Sequence, residues 1–397
     1  MEKRIREMVD RLLLEQGEYA PLELLLAEGR LFYEDYEQWR QSGVEYLEES
    51  LFGDPEQILG LLRQAADYAV DLGLDAERTD CKPWGVKQDP LRFSLDPAAD
   101  RLFFTRYRKP TDEPQLDLFM DTSGSSLANG VVAALVGRDG TEARRLLDQL
   151  FDKDPGNNRL GGLERLVEAA EGGGVPAKDI ATELELLEKE IEPLARELLA
   201  AGSRDFLAPL WQRLGLALAN LPFDPASPKL HASYMALRGE AWGQLRLLVE
   251  AEPDWQRQPP LLLRHAQACG ALHQEIEEIG DWFRLCWDHP DQASHIKDDA
   301  SPAWRARWRD FLELEPELSV ADFPAWSLLH DPGLAKRLDA DDRFLAGDLP
   351  EAYKLTAKLV VAAVEKDPVK EQIETRKQLQ GLNPTLLLHY LQRFGTG

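Results

Sequence analysis

Three stretches of this 397-residue sequence carry residue types that could do chemistry. Asp121-Thr-Ser-Gly-Ser125 sets one carboxylate and two hydroxyls, on Asp121, Ser123 and Ser125, at alternate positions. Hard oxygen donors of that kind suit Mg²⁺. Cys269-x₃-His273-x₁₂-Cys286-x₂-His289 offers sulfur and imidazole donors at spacings that resemble zinc ligation. Asp152-x-Asp154-x-Gly156-Asn157 opens as a calcium loop does. Its twelfth position is Leu163 rather than a bidentate glutamate, so that loop is incomplete. His231, His265, His330 and His389 are scattered, with no neighbouring nucleophile to pair with. The chain has no phosphate-binding loop, no dinucleotide glycine pattern and no nucleophile elbow. A triad assembled from distant residues is invisible at this level.

The Asp121–Ser125 block follows apolar Leu116-Asp-Leu-Phe-Met120 and precedes a helix-like run from Leu127 to Val136. In this it is similar to the D-x-S-x-S loop of von Willebrand A domains. That resemblance implies a strand ending at Asp121 and a divalent cation held by Asp121, Ser123 and Ser125. It also implies an alternating α/β domain, whereas the spacing beyond Val136 is helical. The competing reading is a helix cap supplied by Asp121, Thr122 or Ser123, and this is the expected one. An aspartic-protease reading fails because Ser123 interrupts the Asp-Thr-Gly triplet and no second copy exists. Zinc at the Cys/His stretch fails on geometry. With a helical turn near 274–275, Cys269 lies five residues before it and Cys286 eleven after, a mismatch of about 9 Å. Cys286 sits on an apolar stripe and reads as a small buried hydrophobe. No metal or cofactor is expected.

Charge narrows the partners. Lys and Arg number 46 against 71 Asp and Glu, a net charge of −25. Residues 1–60 alone carry 15 acidic and 6 basic side chains, which argues against reading the short helices there as a DNA-binding motif. So acidic a surface repels phosphate backbones, and no nucleic-acid partner is expected. The three cysteines make no disulfide framework and fit a reducing compartment. No stretch reaches the ~18 apolar residues of a membrane span. The first residues lack the apolar core of a signal peptide. A cytoplasmic protein with no membrane contact is expected.

The elements that must position any site are mainly helices, and the fold class expected is all-α. Residues 1–79 read as a helical N-terminal region. Its clearest helix has Asp54 as N-cap, Pro55 at the first position and Gly73 past the end. Residues 80–125 read as a connector broken by Pro83, Pro90, Pro97, Pro110 and Pro114. Its short apolar runs, 91–95, 102–107 and 115–120, are either strands or irregular chain. From 126 to 397 helical spacing dominates. Within it Leu184, Leu187, Ile191, Leu194 and Leu198 form a seam that Pro193 should kink or split into two short helices.

In the second half, apolar helices run repeatedly into an acidic or polar residue plus proline, and a new helix follows. The junctions are Asp154-Pro155, Glu252-Pro253, His289-Pro290 and Glu315-Pro316. Pro253 and Pro290 lie 37 residues apart, and the hairpin 260–274 with 276–289 is the clearest unit. Over about 141–395 this resembles an irregular tetratricopeptide array. The resemblance implies an α-solenoid-like array of helical hairpins, each covering the apolar face of the next, with a concave face for a partner.

The expected function is therefore a non-enzymatic scaffold or adaptor that binds another protein through a helical-repeat groove. The alternatives are a metal-dependent module on Asp121, Ser123 and Ser125, or an enzyme whose site the sequence hides. In the clearest hairpin Leu261, Leu262, His265 and Cys269 form the packing stripe. Arg264, Gln267 and His273 lie off it and are the expected groove residues, with Trp242 as aromatic anchor. Eight of the ten tryptophans follow residue 200, and Trp304-Arg-Ala-Arg-Trp308 interleaves the two residue types that dominate binding hot spots. Of Trp282 and Trp287, five apart, at least one is expected at the surface. The net charge favours a partner with a basic surface or peptide.

Overall fold

A computed structural model describes all residues except 1, 85–89, 111–121, 173–178, 340–348, 366–368 and 396–397. The described residues are 73% helix and 3% strand, so the chain is mainly all-α as its spacing predicts. They form two compact units. The first comprises Met1–Leu221 with Lys229–Ala241, and the second Pro222–Pro228 with Trp242–Gly397. The expected boundaries at 79 and 125 are not where the chain divides. Residues on both sides of 79 share one core, because Trp39 packs edge-on to Phe103 and stacks on Phe104.

Unit 1 opens with α1 (Glu2–Gln16), α2 (Pro21–Ala27), α3 (Tyr33–Arg40), α4 (Pro55–Asp71) and α5 (Pro97–Phe103). The end signals of α4 are those read from its sequence. Asp54 accepts a hydrogen bond from the Gln57 backbone N–H at 3.3 Å, and Gly73 takes a left-handed φ of +74°. Asp54→Ala should cost about 1 kcal/mol, the usual loss of such a cap, measurable by urea denaturation. Three short strands, β1 (Glu18–Tyr19), β2 (Asp75–Arg78) and β3 (Thr105–Arg108), pair antiparallel in the order β1-β3-β2. Of the expected segments, 102–107 is half right: Leu102 and Phe103 finish α5, and the strand starts at Thr105. Residues 91–95 form no strand beyond one isolated bridge from Arg92 to Tyr46, and 115–120 lie outside the described residues.

Helix then takes over: α6 (Thr122–Val136), α7 (Gly140–Lys153), α8 (Leu160–Gly172), α9 (Ile180–Leu186), α10 (Glu192–Leu199), α11 (Ser203–Leu218) and α12 (Ala232–Arg238). The seam around Pro193 does not split. A π-helical turn at Leu187–Ile191 joins α9 to α10, absorbing the carbonyl that the proline ring and missing N–H leave without an α-helical bond.

Unit 2 contains α13 (Trp242–Glu250), α14 (Pro259–Ala271), α15 (Glu275–Asp288), α16 (Ile296–Asp299), α17 (Pro302–Leu312), α18 (Phe323–His330) and α19 (Pro332–Asp339). It closes with α20 (Glu351–Glu365), α21 (Val369–Leu382) and α22 (Pro384–Phe394). Within this unit α13 packs on α14, α14 on α15, α20 on α21 and α21 on α22. The core is aromatic. Phe323 is ringed by Trp304, Trp308, Phe311 and Phe283 at centroid distances of 4.9–6.3 Å. Trp304 and Trp308, read from sequence as hot-spot types, are thus core residues, and Arg307 lies over the Trp304 ring at 4.4 Å. Trp282 is fully buried, while Trp287 is half-buried against the same core.

Candidate functional site

In unit 2 reactive side chains converge between α13, α14 and α15. Two prolines start α14, and Gln258 before them is held extended at φ −104°, ψ 103°, as a residue preceding proline must be. Leu272 caps the C-terminus of the helix. His273 turns left-handed at φ +57°, and the Gln274 N–H donates back to the Cys269 carbonyl at 2.8 Å. Glu275, Glu277 and Glu278 then fill the first turn of α15, where acidic groups oppose the helix dipole. This short turn lays α15 back along α14 and sets Asp281 beside His265 and Cys269, which are one turn apart on α14.

His265 Nδ1 meets Asp281 Oδ2 at 2.5 Å, and Nε2 meets Glu250 Oε1, on the last residue of α13, at 3.3 Å. Cys269 Sγ lies 3.6 Å from Nδ1 and 3.9 Å from Nε2. Trp255 covers the imidazole at a centroid distance of 4.2 Å. Burial by itself would lower the His265 pKa. The Asp281 and Glu250 carboxylates outweigh it, so the ring sits above its ordinary value. Burial, with Asp281 and Glu277 nearby, pushes the Cys269 thiol far up, so it is protonated. A Cys–His nucleophile needs one ring nitrogen for sulfur and the other for an orienting carboxylate. Here carboxylates take both, and Cys269 is wholly buried, so the arrangement does not prepare a thiolate for attack.

Of the residues expected to line a groove, Arg264 is placed differently. Arg264 is a correction: it is 5% exposed, donates from Nη2 to the Pro228 carbonyl at 2.6 Å and lies over the Phe223 ring. It pins the 222–228 segment to α14 and presents no surface to a partner. The reason is that α14 packs between α13 and α15, so little of the helix faces outward. Gln267 is half-buried, Trp242 is half-buried at the start of α13, and His273 is exposed in the turn. Leu261, Leu262, His265 and Cys269 are buried together, as the packing stripe requires. Cys286 is buried in the aromatic core, and the Cys/His stretch does not form a zinc cluster among the described residues.

Of the Mg²⁺ residues, Asp121 lies outside the described residues, while Ser123 and Ser125 fall in the first turn of α6 rather than in a loop. Asp154 accepts from the Asn157 side chain at 2.9 Å, closing the turn between α7 and α8 instead of a calcium loop.

A second polar constellation lies in unit 1. Tyr33, Tyr36 and Arg40 share one face of α3, and all three donate to the buried Asp205 carboxylate of α11 at 2.9–3.2 Å. Arg138 donates to the Asp205 carbonyl at 2.9 Å and to Glu37 at 2.5 Å. Both guanidiniums lie over the Trp84 ring, at 4.5 and 3.5 Å. Burial beside Asp205 drives the two phenols well above their ordinary range, so they stay donors. With every partner engaged inside the protein, the network is a structural tie. Sequence reading missed both constellations. The spacing of His265 and Cys269 and that of Tyr33, Tyr36 and Arg40 are visible in the sequence, but their partners Asp281 and Asp205 are not.

No family model, curated protein or solved structure matches the chain.

Proposed function

We propose that the chain is a non-enzymatic, cytoplasmic scaffold that binds a protein partner with a basic surface, and that residues 126–397 provide stacked, tetratricopeptide-like hairpins for it. One observation carries the reading: helices adjacent in sequence pack on one another in succession, α6 on α7 on α8 and α13 on α14 on α15. Helical hairpins built in this way bury their apolar faces on neighbours and leave the outer sides to partners. A net charge of −25 supplies the attraction for a cationic partner. No described helix is long and apolar enough to cross a membrane, which agrees with a partner other than the bilayer. With Arg264 buried, the contacts are assigned to Trp242, Gln267 and His273.

The test is retention of cell-extract proteins on the immobilised full chain. Proteins rich in Lys and Arg should bind at low ionic strength and elute as salt approaches the physiological range. Trp242→Ala should weaken retention by about 1–2 kcal/mol, roughly five- to thirtyfold in affinity, with far-ultraviolet circular dichroism unchanged. Retention that is indifferent to salt, and undiminished in the Trp242 variant, would overturn the proposal.

A further inference from the structure

We infer that His265, Cys269 and Asp281 form a binding site for one divalent transition-metal ion of the zinc class, with Glu250 orienting the imidazole from behind. One ligand atom from each of the three residues lies within 4.8 Å of the other two, and all three residues are buried. A tetrahedral zinc ion with bonds of about 2.0–2.3 Å holds its ligand atoms roughly 3.3–3.7 Å apart. The Cys269 Sγ to His265 Nδ1 distance of 3.6 Å has that length, but Sγ also lies 3.9 Å from Nε2, so the sulfur stands beside the ring and must turn toward the Nδ1 edge to meet an ion there. The Nδ1 to Asp281 Oδ2 distance of 2.5 Å is that of a shared proton, and it needs to open by about 1 Å for an ion to take the proton's place.

Three further features favour the ion. The donors are sulfur, nitrogen and oxygen, a set that suits zinc, cobalt or nickel and disfavours Mg²⁺ and Ca²⁺, which take oxygen alone. The ligands stand on packed helices: His265 and Cys269 one turn apart on α14, Asp281 on α15. Helices hold such groups more closely than loops do. Finally, Glu250 Oε1 lies 3.3 Å from Nε2. A carboxylate accepting from the far ring nitrogen is the usual outer support of a metal-bound histidine, and Trp255 packs against the ring.

Charge conserves itself in the exchange. Before binding, the short Nδ1–Oδ2 contact holds one proton and the Cys269 sulfur another, and the imidazole, carboxylate and thiol with these protons sum to zero. Afterwards it comprises a neutral imidazole, a carboxylate, a thiolate and a doubly charged ion, and again sums to zero. One proton leaves Nδ1 and one leaves Sγ, so two protons are released for each ion bound. The buried charge is the same in both states, and the ion meets no additional cost of burying net charge.

The experiment is a Co²⁺ titration of the untagged full chain after treatment with a chelator. One equivalent should produce a thiolate-to-cobalt charge-transfer band together with tetrahedral ligand-field bands. Zn²⁺ should bleach both, and its binding should release two protons per ion in weak buffer. Cys269→Ala should abolish the charge-transfer band while leaving the helical circular dichroism intact, and Cys81→Ala should leave the band as it is. Asp281→Asn should weaken Zn²⁺ binding at least tenfold; should that variant not fold, the Cys269 comparison decides alone. Absence of the band at stoichiometric Co²⁺, or a band that survives Cys269→Ala, would overturn the inference. Cobalt binding without thiolate character would also overturn it, because that would report surface carboxylates.

Discussion

Asp205→Ala is expected to destabilise the protein by about 3–5 kcal/mol, the cost of removing one partner from a buried ion pair. The carboxylate answers Arg40 and two phenols at once, and all three donors are buried. Arg40 would keep its bond to the Lys82 carbonyl at 3.2 Å and its place over Trp84, but would lose its counter-ion. Asp205→Asn keeps one accepting oxygen, but its NH2 then faces a donor in place of the other, so it too should destabilise the protein. Tyr33→Phe should cost about 1 kcal/mol, one hydrogen bond among several. Urea denaturation followed by circular dichroism measures all three. An Asp205→Ala midpoint equal to that of the parent would show that the network contributes nothing to stability.

Trp282→Ala should cost a similar amount, about 3–5 kcal/mol, by a different route. The side chain is wholly buried in the core of unit 2, and truncation leaves a void that the packed helices around it can fill only in part. Its indole N–H also donates to Glu278 Oε1 at 3.2 Å, and the same oxygen accepts from the Ser301 N–H at 2.8 Å, just before α17 begins. Loss of the indole would leave that buried glutamate with one donor fewer. Trp282→Phe removes the hydrogen bond and keeps most of the ring, so it should cost markedly less. Leu247→Ala is the comparison, because Leu247 is 61% exposed and its truncation should stay within about 0.5 kcal/mol. Equal midpoints for Trp282→Ala and Leu247→Ala would refute the assigned role.

These two residues mark how far the sequence could be read. Trp282 lies on a stripe with Ile279, Phe283 and Cys286, so a place in the core was open to inference; that Trp287 would stay half-buried on the same core was not. Asp205 reads as an ordinary acidic residue in the first turn of α11, and nothing local reveals three donors waiting 165–172 positions earlier. Arg264 shows the limit most plainly. Helical phase correctly puts it off the stripe formed by Leu261, His265 and Cys269. Phase cannot tell whether a second neighbour covers the other face, and here the 222–228 segment and α13 do so.

By itself the sequence determined the helical class, the caps of α4, the stripe of α14 and the acidity of the surface. Each follows from interactions within a few residues or from composition alone: side chains repeat every 3.6 residues, a cap bonds its own first turn, and charge simply adds. Tertiary structure alone decided that residues on both sides of 79 share one core and that the chain divides near 241. It also decided that Asp281 closes on His265 and Cys269 while His273 and Cys286 stay apart from them. Those outcomes depend on how one helix rotates and slides against another. That is set by the fit of many side chains across the contact, and no short window of sequence contains both halves of it.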